Sequence, residues 1–120
     1  MGETYSVGVT TLIKTMKLEN CTPNVVVENI NITQTDINRP ALQLAGYFDY
    51  FDNNRIQIIG QVEYSYMEKM GKEYSLGMLE KIMQDKVPCI VFCRNLPVDD
   101  AIITLAINSK VPTMIQPVLS

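Results

Sequence analysis

The chain has 120 residues, a formal net charge of -3 and no histidine, with 47% hydrophobic and 19% charged residues. That length and composition suit one domain with a single core and argue against disorder. Without imidazole there is no Ser-His-Asp or Cys-His nucleophile system and no histidine-dependent zinc site, and a pI near 4.8 with basic residues scattered singly from Lys14 to Lys110 excludes a nucleic-acid-binding face.

The segment Met1–Ser6 lacks the basic and apolar regions of a signal peptide, and no apolar run approaches the ~20 residues of a membrane span. The expectation is a cytoplasmic protein without a membrane contact. Gly2 and Ser6 match a short myristoylation pattern, and Asn20-Cys21-Thr22 and Asn31-Ile32-Thr33 match glycosylation sequons, all read as accidental.

Val9, Leu12, Ile13 and Met16 repeat at helical spacing and predict a helix over about 8–17. Asn24 to Ile32 alternates weakly around Val25-Val26-Val27 and reads as a strand or extended segment. Thr35 to Pro40 is polar punctuation, in which Thr35, Asp36 or Asn38 caps a short helix that Pro40 opens and Gly46 ends. The aromatic cluster Tyr47-Phe48-Asp49-Tyr50-Phe51 runs into a turn at Asp52-Asn53-Asn54. Ile56 to Ile59 is a strand that stops at Gly60.

A helix over about 64–70 follows, with Ser65 and Glu68 at capping-box spacing and Gly71 as its stop. Leu76, Leu79, Ile82 and Met83 line a second helix that ends before Pro88. Pro88 to Arg94 is apolar enough for a strand covered on both faces. Asp99 and Asp100 open a largely buried helix that Lys110 closes, and Val111 to Gln116 is a last strand. The order β, α, α, β, α, β from Arg55 onward predicts an α/β domain over residues 1–120, with a mainly parallel central sheet and helices packed on it.

Little in the chain offers catalysis. GxxxxGK[ST] is missing, since Gly71-Lys72 is followed by Glu73 and has Tyr66 where the first glycine belongs, and GxGxxG is missing too. Nothing therefore cradles phosphates for transfer or hydrolysis, and no catalytic residue is assigned. Cys89 and Cys93, four apart on one strand, have Cα atoms roughly 13 Å apart and cannot form a disulfide. Together with Cys21 they lack the fourth ligand of a thiolate metal site, so no metal is assigned and the thiols read as buried and inert.

Thr35 to Gly60 is the most distinctive stretch. Arg39 and Arg55 bracket the aromatic cluster, and either can pair with Asp49. One reading is a corner held by an Arg–Asp pair, with Tyr47, Phe48 and Phe51 in the core. The other is a groove of Arg39, Tyr47, Asp49 and Arg55 that binds a ligand or a partner protein.

The run Thr35-Asp36-Ile37-Asn38-Arg39-Pro40-Ala41-Leu42-Gln43-Leu44-Ala45-Gly46-Tyr47-Phe48-Asp49-Tyr50-Phe51, followed by Arg55-Ile56-Gln57-Ile58-Ile59-Gly60, closely resembles the amino-terminal domain of HPr kinase/phosphorylase. The opening amphipathic helix with Leu18 after it, Val87 to Val91, Arg94 and the Val111-Pro112 strand agree with the same pattern. The resemblance implies part of a bacterial cytoplasmic regulator of carbon metabolism that phosphorylates a serine of HPr, removes that phosphate by phosphorolysis, and assembles as hexamers. It also implies a fold similar to the amino-terminal domains of Mur ligases, which bind a uridine nucleotide.

The family's chemistry, with ATP and Mg2+, resides in a carboxy-terminal P-loop kinase domain, and the present chain stops at Pro117-Val118-Leu119-Ser120, about where the linker would begin. No family catalytic residue is carried over and no cofactor is expected here. The implied partners are the kinase domain of the same polypeptide, further copies in an oligomer, and HPr. The expected role is a non-catalytic regulatory or assembly domain. The alternatives are a sensor of a nucleotide or sugar phosphate and, last, a freestanding enzyme using Asp49 or Cys93.

Overall fold

In the computed structural model, which describes residues 6–117, the chain order is β1 (Val7–Gly8), α1 (Val9–Met16), β2 (Glu19–Asn20), β3 (Asn31–Ile32), β4 (Ile37–Asn38), α2 (Ala41–Leu44), β5 (Ile56–Ile59), α3 (Gln61–Met70), α4 (Lys72–Gln84), β6 (Ile90–Phe92), α5 (Asp100–Ser109) and β7 (Thr113–Ile115). The N-terminal pattern at Gly2 and residues 118–120 lie outside the described residues. Five strands form a central sheet in the order β2-β7-β6-β5-β4, parallel throughout except for β2 against β7. β1 and β3 form a separate antiparallel ribbon. No helix among the described residues is long and apolar enough to cross a membrane.

Parallel strands β4 to β7 follow one another across the sheet in chain order, so crossovers of one hand place α2, α3, α4 and α5 on a single face. The buried residues divide accordingly. Ile59, Ile90, Phe92 and Ile115 point into the helix layer with Leu44, Met67, Leu79 and Ile82. Cys89, Val91 and Met114 point the other way, against Val9 and Ile32 of the α1 layer. Strand β6 is buried on both faces, which is why its sequence is an unbroken apolar run.

Local chemistry sets several element ends. Asp99 caps α5 by accepting from the Ala101 N–H at 2.8 Å, and Asp100 sits in its first turn, the pairing of acid and helix dipole expected. Gly46 and Gly71 adopt positive φ, ending α2 and separating α3 from α4.

Five expectations need correction. The segment from Asn24 to Ile32 is mostly turn, with only Asn31–Ile32 paired, because Val25 N–H closes on Thr22 and Ile30 N–H on Val27. Ile37–Asn38, read as part of the polar punctuation, is an edge strand of the main sheet, and Glu19–Asn20, assigned to no element from the sequence, is the other. Consequently Asn38 caps nothing, and α2 begins after Pro40 without a side-chain cap. Helix α3 starts at Gln61 rather than near 64, because Glu63, not Ser65 or Glu68, supplies its capping contact, reaching back to the Gly60 N–H. Tyr47 is exposed rather than in the core, whereas Phe48 and Phe51 meet edge-to-face at 5.8 Å against the helix layer.

Burial pushes the Cys89 thiol up to about 12. A thiol-specific disulfide reagent at pH 8 should therefore modify Cys21 and Cys93 in the folded chain and reach Cys89 only on denaturation. A third fast-reacting thiol in native buffer would contradict this packing. The folded thiol keeps its proton above the ordinary thiol range, so its contribution to stability is complete below about pH 8.5 and falls as pH rises toward 12. The urea midpoint should fall over that interval, and by less in Cys89→Ala.

Candidate functional site

Strands β4, β5 and β6 run parallel and end at one edge of the sheet, followed there by Arg39, by Gly60, and by Cys93 and Arg94. On the α1 side the cover thins toward this edge, leaving Ile58 half-buried and Ile37 48% exposed. The result is an open depression of about 370 Å3, with Ile37, Ile58 and Val62 as apolar wall and Arg39, Cys93 and Arg94 at its rim.

Its best-ordered part is built around Glu63. This carboxylate is 4% exposed, and one oxygen accepts from Arg39 Nη2 at 2.9 Å, Arg39 Nε at 3.3 Å and the Gly60 N–H at 2.7 Å. Position N3 of a helix suits such an acid, because it faces the positive end of the dipole and the unpaired amides. The guanidinium lies directly over Gly60, where a Cβ would stand 2.7 Å from Arg39 Nη2. Gly60 has extended backbone, so what glycine provides there is room for the guanidinium rather than conformational freedom.

After β6 the chain reverses abruptly. The Leu96 N–H donates to the Cys93 carbonyl at 3.1 Å, and Arg94 and Asn95 between them sit at φ 54° and 57°, the arrangement of a type I′ turn. Asn tolerates the left-handed region, whereas arginine is strained in it. The Asn95 N–H holds the turn by donating to the Gln116 carbonyl at 2.8 Å. Burial pushes the Cys93 thiol up, opposed by the Arg39 and Arg94 guanidiniums and assisted by Glu63, so both arginine charges reach the thiol.

Of the residues expected to line one groove, Arg39 alone lines this depression. Tyr47 is exposed just after α2, its carbonyl accepting from Gln43 Nε2 at 3.3 Å. Arg55 pairs with Asp52 at 3.2 Å and reaches Asp36 at 3.9 Å. Asp49 is exposed and enters no ion pair among the described residues, so neither arginine meets it.

Beneath these side chains lies a network of amides. Asn38 Nδ2 donates to Gln57 Oε1 at 2.7 Å and to Gln43 Oε1 at 3.0 Å, while Gln57 Nε2 donates to the Arg55 carbonyl at 2.9 Å. Gln43, Gln57 and Glu63 were missed as contributors. The readable signals were a lone glutamine within the apolar strand Ile56–Ile59 and a glutamate three residues after Gly60.

Cys21 packs against the helix-side core and Cys89 lies in the opposite one, and among the described residues no three His, Cys, Asp or Glu side chains gather as a metal site requires. A second cleft of about 230 Å3 between α3, α4 and α5 is a helix-packing seam, crossed by Tyr64 Oη donating to the Pro97 carbonyl at 3.0 Å and by Lys72 opposite Asp99 at 3.7 Å.

Comparison with known proteins places residues 7–119 under the family model described as HPr Serine kinase N terminus. An HPr kinase/phosphorylase of Lachnoclostridium phytofermentans is 53% identical over 108 residues, which cover 90% of this chain and 35% of that protein. Proteins of the same name from Alkaliphilus metalliredigens and Streptococcus uberis are 37% and 36% identical over 84% of this chain, covering 32% and 33% of their own lengths. The chain thus spans about a third of the length of the curated relatives it matches.

Gly60→Ala should displace the Arg39 guanidinium and destabilise the chain by about 1–2 kcal/mol, the half-exposed arginine limiting the cost. In an Arg39→Ala background the same change should cost only a few tenths of a kcal/mol in urea denaturation. Additive costs would show that the close approach is absent. Arg94→Gly should raise stability by about 0.5–1 kcal/mol, because relief of the left-handed strain exceeds the added freedom of the unfolded chain. A lower urea midpoint in that variant would contradict the strained turn.

Proposed function

The chain belongs to the HPr serine kinase N-terminus family, and from that premise we propose that it is the non-catalytic regulatory or assembly part of a bacterial HPr kinase/phosphorylase. The parent enzyme in this reading phosphorylates a serine of HPr and removes that phosphate again. Support comes first from coverage, since the match runs through nearly all of this chain and only about a third of its relatives. It comes also from the absence of GxxxxGK[ST] in the 120 residues, which leaves no loop to hold the phosphates of ATP.

The Arg39–Glu63 pair does not resemble a phosphoryl-transfer centre. Its carboxylate is occupied by a guanidinium and a backbone N–H on one oxygen and is buried, not free to accept a substrate proton. ATP and Mg2+ do not fit the residues present, which offer neither a glycine-rich loop nor a cluster of carboxylates among the described positions. In this reading the chain's partners are the kinase domain of its own polypeptide and further copies in a cytoplasmic oligomer, while HPr is handled by the kinase domain.

The purified chain, incubated with ATP, Mg2+ and HPr, should form no phosphoserine on HPr by phosphate-affinity electrophoresis. Removing the equivalent region from an intact relative should leave phosphotransfer in place while altering assembly or its response to metabolites. Phosphoserine formed by this chain alone would overturn the non-catalytic part, and a deletion without effect on assembly or regulation would overturn the accessory role.

A further inference from the structure

The depression at the carboxyl ends of β4, β5 and β6 has a chemistry that the accessory role does not use. We propose that it binds the phosphate group of a small phosphate monoester, with the ester's carbon skeleton lying on Ile37 and Ile58. The proposal does not rest on the role above and stands or falls separately.

The first argument is unspent donors. Arg39 commits Nε and Nη2 to Glu63, but its Nη1 makes no hydrogen bond among the described residues, and its side chain is 53% exposed. The Arg94 side chain is exposed and enters no hydrogen bond or ion pair among them. Gln61 and Val62, at the first turn of α3, border the same depression, and their N–H groups have no side-chain cap. Two guanidiniums and two amides from three separate segments suit the three terminal oxygens of a phosphate dianion better than the two oxygens of a carboxylate.

The second argument is charge. The chain as a whole is acidic, with a net charge of -3, yet among the described residues no carboxylate lines this depression, and Glu63, which bonds its Arg39, is neutralised by that pairing. Arg94 therefore leaves one uncompensated positive charge beside the uncharged Cys93 thiol. Both arginine charges are felt at that sulfur, which places them on the same small volume.

The third argument is position. Arg94 occupies a left-handed turn site that glycine or asparagine would fill with less strain, and the turn is held by backbone hydrogen bonds on both sides. Such strain is stored where a side chain must be presented at one place. The apolar wall of Ile37, Ile58 and Val62 is exposed to an extent that folding does not require, since Ile37 is 48% and Val62 67% accessible. A volume of about 370 Å3 lies in the ~300–1,000 Å3 range of small-molecule sites.

The test is an amide-resolved NMR titration of the 120-residue chain with phenyl phosphate, inorganic phosphate and phenol. Phenyl phosphate should give saturable shifts at Gln61, Val62, Cys93 and Arg94, with inorganic phosphate several-fold weaker and phenol silent. Arg94→Gly, which keeps the turn, should weaken phenyl phosphate roughly tenfold, and Arg94→Lys should recover part of the loss. No saturation by either phosphate at tens of millimolar, shifts centred elsewhere, or undiminished binding in Arg94→Gly would overturn the site. Equal affinity for inorganic and phenyl phosphate would overturn the role of the apolar floor.

Discussion

A carboxylate withdrawn from water as far as that of Glu63 is tolerable only when donors surround it, and the donors here come from two segments other than its own. Arg39 follows β4, Gly60 follows β5, and Glu63 itself opens α3. The requirement that one oxygen accept from both Arg39 and the Gly60 N–H sets the distance between the ends of two parallel strands. It also directs the first turn of α3 back over the sheet. A Cβ at Gly60 would crowd the guanidinium where it lies, so the glycine after β5 serves the ion pair rather than any need of the backbone.

A second polar arrangement does similar work one residue away. Strand β4 is only two residues long and sits at the sheet edge, too short to be held by its ladder alone. Asn38 anchors it by bonding both the buried Gln57 of β5 and the buried Gln43 of α2. The long pattern from Thr35 to Gly60 is therefore in large part a description of how an edge strand and a short helix are tied to β5. Arg39, Asn38, Gln43, Gln57 and Gly60 each have a partner within it or just beyond it.

The parts of the fold legible in the sequence were those whose hydrophobic period is long enough to speak for itself. The α4 stripe, the β6 run and the apolar helix α5 declare their burial, and from their order the parallel sheet follows. Elements of only two residues carry no period, so β2 and β4 were indistinguishable from loop until their neighbours were in place. The start of α3 was obscured because its N-cap is a glycine without a side chain to advertise it. Within the site, Arg39 was readable as an isolated cation in a distinctive motif. Its true partner was not, because Glu63 lies 24 residues on and is delivered by the β5–α3 junction. Tyr47, Asp49 and Arg55 were grouped by nearness in sequence, while in the fold none of them lines the depression and Arg55 is engaged by Asp52.

Positive φ recurs at Lys17, Tyr50, Lys86, Arg94, Asn95 and Lys110, and its local setting differs among them. Of these, Lys17 and Lys110 each close a helix, each with its own N–H bonded to a carbonyl of the last turn and its cation near the negative end of the dipole. There the conformation has a local return in satisfied carbonyls. Arg94 has no helix to end. Its turn could be made by small residues at less strain, and the hydrogen bonds that hold it are made by the Asn95 and Leu96 amides rather than by any part of the arginine. What arginine adds over glycine at that position is a long cation beside Arg39 at the mouth of the sheet. In the proposed site this turn places the Arg94 cation where a bound phosphate would meet it.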